Sequence, residues 1–195
     1  IGDQGGNIAL VSKLHSGVSE DAYAFTLNNY CVSGLTAIGH AGAMVAGGAV
    51  RQALAGGVEM MSRVGLMGDN AAYYTDASLP KRARYVPVVV AADRLAQAEG
   101  VAREALDAVT LTSQTLTREA EDKPALLASR IAVDGHTSEE CARPSTTAES
   151  LAAMKPGFAA LAASYASALE GPIDHRHTLA HAPPVADGAG LAVVG

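Results

Sequence analysis

Apolar residues recur at helical spacing along residues 7–14, NIALVSKL, where Ile8, Val11 and Leu14 share one face and Gly17 stands where a helix stops. Residues 22–29, AYAFTLNN, alternate instead, with Tyr23, Phe25 and Leu27 on one side, which predicts a strand ending at Asn28 or Asn29. From Ser33 to Ala46 the period returns to 3.6 through Leu35, Ile38, Ala41 and Val45, and Gly47 and Gly48 loosen the far end. Residues 49–63 read as a few helical residues, a Gly56-Gly57 turn and a short apolar piece ending at Ser62. After Met67 the chain turns polar and aperiodic, with Pro80 in the middle, so a domain boundary or long excursion is expected there. Helices are predicted over 89–99 and 102–120, and a third opens at Thr146 or Thr147 with a carboxylate just beyond. Residues 164–184, rich in Gly, Pro and His, read as a connector, and 186–195, ADGAGLAVVG, as a turn entering an apolar strand.

Composition narrows what such a chain can be. The 195 residues suffice for one good core or two small units, and 49% apolar with 17% charged residues describes a folded chain. Aromatics make up only 4% against 20 glycines, so close backbone approaches are expected in place of packing around large rings. A net charge of −6 provides no basic field for nucleic acid, and the short run Lys81, Arg82 and Arg84 reads as a solvated loop. Two cysteines make no disulfide framework, which points to a reducing, cytoplasmic setting. No stretch approaches the roughly 18 uninterrupted apolar residues of a membrane span. The first residue is Ile1 and no signal peptide is read, so an internal portion of a longer chain is expected.

Cys31 lies between the predicted strand and the helix at Ser33, beside peptide dipoles that favour an anion. Such placement suits a nucleophile. Ser33 and Gly34 keep the bulk low for an approaching carbonyl, and the Cys31 N–H can face a developing oxyanion. Placement alone also admits an inert buried thiol. His175, His177 and His181, with Asp174 alongside, invite a metal reading, but no cysteine or acid completes a persuasive spacing, so a flexible polar connector is expected and no metal site is read. The stretch GDQGG, residues 2–6, lacks the Lys and Ser/Thr of a phosphate loop.

The residues around Cys31 carry more. Asn28, then Cys31-Val32-Ser33-Gly34-Leu35 and Ala37-Ile38, then Ala55-Gly56-Gly57 and Glu59-Met60-Met61-Ser62, resemble the nucleophile segment of the thiolase family, N-x-x-C-x-S-G-L-x-A-I followed by A-G-G-x-E-x-M-S. GDQGGNIA upstream continues the likeness, as do residues 92–114 and CARPSTTAESLAAMKPGF, residues 141–158, downstream. VADGAGLAVVG, residues 185–195, is similar to a later strand of the family, so the resemblance runs through nearly the whole chain in the family's order.

By that resemblance the fold is the layered α/β/α/β/α thiolase arrangement. Residues 1–66 and 185–195 would belong to its N-terminal half and 67–184 to an inserted loop domain and connector, with the C-terminal half not present. Cys31 would be the acyl-accepting nucleophile of an acetyl-CoA C-acyltransferase of fatty acid metabolism. Arg143 would lie near the nucleotide end of CoA, and Ser150 and Phe158 near its adenine and pantetheine side. No cofactor is implied, since CoA is itself substrate, and a homodimer or homotetramer is expected. The family's N-E-A-F, G-H-P and C-x-G motifs are expected beyond Gly195, and Cys141 is read as structural rather than as a stand-in for the second cysteine. Pro87-Val88 stands where many members have His-Met, and APPVADGA replaces N-A-S-G-I/L-N-D-G-A. A second reading therefore stays open, a catalytically idle thiolase-like protein that binds acyl-CoA or a partner.

Overall fold

Asn7 opens the first helix by accepting the Leu10 N–H on its side-chain oxygen at 3.1 Å, and Gly17 ends it in the left-handed region at φ 73°. The computed structural model describes residues 6–128 and 130–195; the GDQ and first Gly of the 2–6 stretch lie outside them. In chain order the elements are α1 (Ile8–Ser16), α2 (Ser33–Ala46), β1 (Ala53–Met60), α3 (Val88–Ala98), α4 (Arg103–Ala120), α5 (Pro124–Leu127), α6 (Ala148–Ala152), α7 (Ala159–Ser164) and β2 (Asp187–Val194). They divide into two compact units, Ile1–Ala71 with Val185–Gly195, and Ala72–Pro184. No helix among the described residues is long and apolar enough to cross a membrane.

In the first unit β1 and β2 pair antiparallel, Ala53 opposite Val194 through to Met60 opposite Asp187. The expected Gly56-Gly57 turn is thus the middle of a strand. Glycine is a poor strand former, but here two backbones close on each other: a Cβ on Gly56 would sit 2.2 Å from the Gly190 carbonyl oxygen and 3.1 Å from the Leu191 Cα. Gly56→Ala therefore has to part the two strands. A loss of about 2 kcal/mol or more of stability is expected, read from the urea unfolding midpoint, whereas Gly188→Ala, whose added methyl meets open space, should cost far less. Asp187 ties the end of the ladder to the chain leaving β1 by accepting from the Ser62 hydroxyl at 2.6 Å and the Ser62 N–H at 2.9 Å. Those two bonds hold its carboxyl below the usual carboxylate range.

Helix α2 lies on β1 through small residues. Gly34, Ala37, Ala41, Met44 and Val45 form its covered face, while Leu35 is 72% exposed. The Gly34 backbone lies within van der Waals reach of a Cβ placed on Gly57. The apolar period was real, but the seam that meets the sheet is the glycine-alanine one, which lets helix and strand approach more closely. The alternating segment 22–29 forms no ladder among the described residues. Its polar groups are taken up by α1 instead: Asn7 Nδ2 donates to the Ala24 carbonyl, Ala9 N–H donates to the Thr26 hydroxyl, and Lys13 Nζ donates to the Glu20 and Ala22 carbonyls.

In the second unit Pro87 caps α3, and its ring is buried with Val90, Ala96, Leu151 and Ala162. Asp93, on α3, is wholly enclosed yet fully satisfied. It accepts from His175 Nδ1 (2.9 Å), the Arg176 N–H (3.0 Å), the His177 N–H (2.8 Å) and His177 Nδ1 (2.7 Å). Because an ionised carboxylate only accepts, both Nδ1 atoms are the donors. His181 takes the Thr178 N–H on Nδ1 and donates from Nε2 to Asp107, which also receives Arg103 Nε at 2.8 Å. The histidine stretch read as a flexible connector is a hydrogen-bonded knot across α3 and α4. Of the basic run, Lys81 and Arg82 are exposed as expected, but Arg84 donates to the Ala77, Leu79 and Ser167 carbonyls, and Tyr73, Tyr74, Tyr85 and Tyr165 stack nearby at centroid distances of 4.8–6.3 Å.

Candidate active site

Residues 28–33 form a tight turn in which nearly every polar side chain is spent on shaping the backbone around Cys31. Asn28 Oδ1 accepts the Tyr30 N–H at 2.9 Å, an Asx turn that bends the chain at once after the apolar run. Tyr30 lies in the left-handed region at φ 50°, unusual for a bulky residue. The Ser33 hydroxyl then closes the loop from both sides, accepting the Asn29 N–H at 2.8 Å and donating to the Tyr30 carbonyl at 2.7 Å. Asn29 Nδ2 reaches forward to the Thr36 hydroxyl, which in turn donates to the Val32 carbonyl.

Cys31 sits at the crest of this turn, one residue before Val32, the N-cap of α2. It is exposed and carries a free thiol. Val32 has no side chain with which to cap the helix, and the first N–H of α2, that of Ser33, is taken by the Tyr30 carbonyl at 3.0 Å. The arrangement meets the steric needs of a nucleophile: an open sulfur, a backbone fixed by its neighbours, and the closely packed Gly34 behind it. Cys141, half-buried in the other unit, is different. Burial pushes its thiol up, and the carboxylates of Glu139 and Glu140 add to that against the opposing Arg143, which makes it a poor nucleophile at neutral pH.

The three residues matched to a ligand-binding role lie in the second unit. Arg143 is exposed; its N–H donates to Gln114 Oε1 on α4 at 2.7 Å, and Nη1 donates to the Glu140 and Ala142 carbonyls. Ser150 is exposed and is the third residue of α6, where its hydroxyl accepts the Thr147 N–H while Thr147 Oγ1 accepts the Ser150 N–H. This reciprocal cap explains why the helix starts after Thr147. Phe158 precedes α7 and is only 9% exposed, its ring largely committed to the core of the unit. Among the described residues no group of histidines, cysteines and acids is arranged to hold a metal ion; His175, His177 and His181 face Asp93 and Asp107 instead. The local sequence signal for this turn lies in Asn29, Thr36 and Tyr30: two short polar side chains flanking a cysteine, with a bulky residue beside it.

Known proteins are similar to this chain in sequence and in fold. The family model described as "Thiolase, N-terminal domain" matches residues 2–194. The 3-ketoacyl-CoA thiolase of Aliivibrio fischeri (strain ATCC 700601 / ES114) is 29% identical over 165 residues, 80% of this chain and 42% of the relative. The 3-ketoacyl-CoA thiolase FadA of Escherichia coli (strain K12) is 30% identical over the same length, with the same shares. The chain thus spans less than half the length of these two relatives. Among solved structures, the dimeric peroxisomal thiolase of Saccharomyces cerevisiae superposes with a TM-score of 0.76 at 22% identity, covering 94% of this chain and 46% of that one. Human mitochondrial 3-ketoacyl-CoA thiolase in complex with CoA gives 0.64 at 24% identity, covering 77% and 42%. With its thiolase-like α/β fold and a match to the N-terminal domain from end to end, this chain belongs to the thiolase family.

Proposed function

We propose that the full-length protein is an acyl-CoA thiolase, an acetyl-CoA C-acyltransferase of fatty acid metabolism, with Cys31 as its acyl-accepting nucleophile. The observation that carries this reading is the open thiol of Cys31 on a braced turn at the start of α2, within the family's nucleophile motif. The sulfur attacks the keto carbon of a 3-ketoacyl-CoA, the bond between that carbon and the α carbon breaks, and the departing enolate of acetyl-CoA takes up a proton. The acyl group, now a thioester on Cys31, passes to the thiol of a second CoA, which returns the cysteine as leaving group. Splitting the reaction into a carbon-carbon cleavage onto the cysteine and a thioester exchange onto CoA lowers each barrier, and CoA enters as substrate rather than as resident cofactor. The reverse direction joins two acyl units. By the family resemblance the proton transfers belong to a histidine and a second cysteine in G-H-P and C-x-G motifs, which this sequence does not carry.

In the same reading residues 67–184 act as the loop domain that holds CoA, with Arg143 toward its phosphates and Ser150 and Phe158 toward the adenine and pantetheine. An exposed guanidinium is suited to phosphate oxygens because charge-assisted bonds to them are strong. Arg143→Ala is expected to raise KM for CoA about five- to tenfold with kcat little changed, since one charge-assisted contact contributes roughly 1 kcal/mol in both ground and transition states. An unchanged KM would remove Arg143 from the CoA site. A reducing, cytoplasmic setting and a dimer or tetramer complete the proposal; the first keeps the Cys31 thiol available. The test is loss of the acetoacetyl-CoA enolate absorbance on adding CoA to the full-length protein. The idle, acyl-CoA-binding alternative is favoured by Pro87, a buried ring where many members carry His-Met, and predicts binding without turnover.

A further inference from the structure

The geometry points to Ser33 as a positioning residue for Cys31, acting by holding Tyr30 in the left-handed conformation that brings the cysteine to the crest of the turn. This rests on Cys31 being the nucleophile. The left-handed region costs a side-chain-bearing residue about 1–2 kcal/mol, so Tyr30 stays there only because its neighbours leave no alternative. Its N–H is held by Asn28 Oδ1, and its carbonyl by both the Ser33 hydroxyl (2.7 Å) and the Ser33 N–H (3.0 Å). The same hydroxyl accepts the Asn29 N–H at 2.8 Å. One oxygen thus bridges the residues on the N-terminal side of Cys31 to the first residue of α2 on the other. Both ends of the peptide pair that carries the sulfur are referred to the helix start through it.

Removing the hydroxyl strips the Asn29 N–H and one of two donors from the Tyr30 carbonyl, while the backbone bond to the Ser33 N–H remains. The helix can persist, but Tyr30 is freed to relax toward negative φ, and the sulfur of the next residue is displaced. Misplacement of a reacting atom by about 1 Å costs on the order of 10²-fold in rate.

The experiment compares Ser33→Ala, Ser33→Thr, Tyr30→Gly and the double variant Tyr30→Gly/Ser33→Ala in the full-length protein, with kcat expressed per Cys31 thiol titrated by iodoacetamide. Ser33→Ala is expected to lower kcat tenfold to a hundredfold with KM for acetoacetyl-CoA within about twofold. Ser33→Thr, which keeps the hydroxyl, should retain most of the rate. Glycine adopts left-handed φ without cost, so the double variant should come within about threefold of Tyr30→Gly alone. A role confined to stability moves the melting temperature and leaves these rates unchanged. Wild-type kcat in a folded Ser33→Ala protein overturns the inference. If that variant does not fold, a double variant tenfold below Tyr30→Gly overturns it equally. Cys31→Ala separates the two layers: if it retains thiolysis, the thiolase reading itself has failed, and if it is inactive while Ser33→Ala is normal, only the role of Ser33 has.

Discussion

Cys31→Ala in the full-length protein is expected to lower thiolysis of acetoacetyl-CoA by about 10³-fold or more in kcat while leaving the fold intact. The first half follows from chemistry, because without the sulfur no thioester can form on the protein and the two-step route is lost. The second follows from exposure: Cys31 stands open to solvent, and the turn that carries it is built by Asn28, Asn29, Ser33 and Thr36, so truncation leaves no buried cavity. Iodoacetamide supplies a control in the unaltered protein. It should modify Cys31 well before Cys141, whose thiol is kept neutral by burial and by Glu139 and Glu140. Equal labelling of the two, or turnover that survives the substitution, would remove Cys31 from the mechanism.

Asp93→Ala should be the most damaging change in the second unit, at about 3–5 kcal/mol by urea titration, because it leaves the donors of His175, Arg176 and His177 facing a void in the core. The same carboxylate makes stability depend on pH. Burial alone would push Asp93 up, but the two backbone N–H groups of His177 and Arg176 and the two imidazoles together outweigh it and hold the carboxyl below its ordinary value. Burial likewise opposes, and Arg103 and His181 likewise prevail, at Asp107. A carboxyl depressed on folding stabilises fully above its unfolded value of about 3.9 and loses that contribution as pH falls through the folded one. Unfolding of the native protein should therefore steepen below about pH 4. In Asp93→Ala the slope in that range should flatten, and an unchanged acid limb would show that the knot carries no net stabilisation.

The ease with which parts of this chain are read follows the range of the forces involved. Helices α2, α3 and α4 were legible to within a residue at each end, since apolar spacing and, for α2, the Gly47 stop act over a few positions. The start of α6 was legible only as Thr146 or Thr147, and the reciprocal bonds between Thr147 and Ser150 select Thr147. β1 was not. Its Gly56-Gly57 centre reads locally as a turn, and it becomes a strand only because Leu191 and Gly190, more than a hundred residues on, lie opposite. The error over residues 22–29 has the converse cause: alternation was present, but a strand needs a partner, and α1 offered Asn7 and Lys13 side chains instead. The histidine stretch misled because a buried aspartate on α3 cannot be paired with residues 175–177 from composition alone.

By itself the amino-acid order determined the family and the limits of α2, α3 and α4, because these are written in contiguous motifs and in a period of one helical turn. What only the tertiary structure decided is which glycines must remain glycine and where Asp93 finds its donors. Those depend on groups brought together from distant positions, where close backbone approach and desolvation of charge set the energies, and neither quantity exists until the chain has folded.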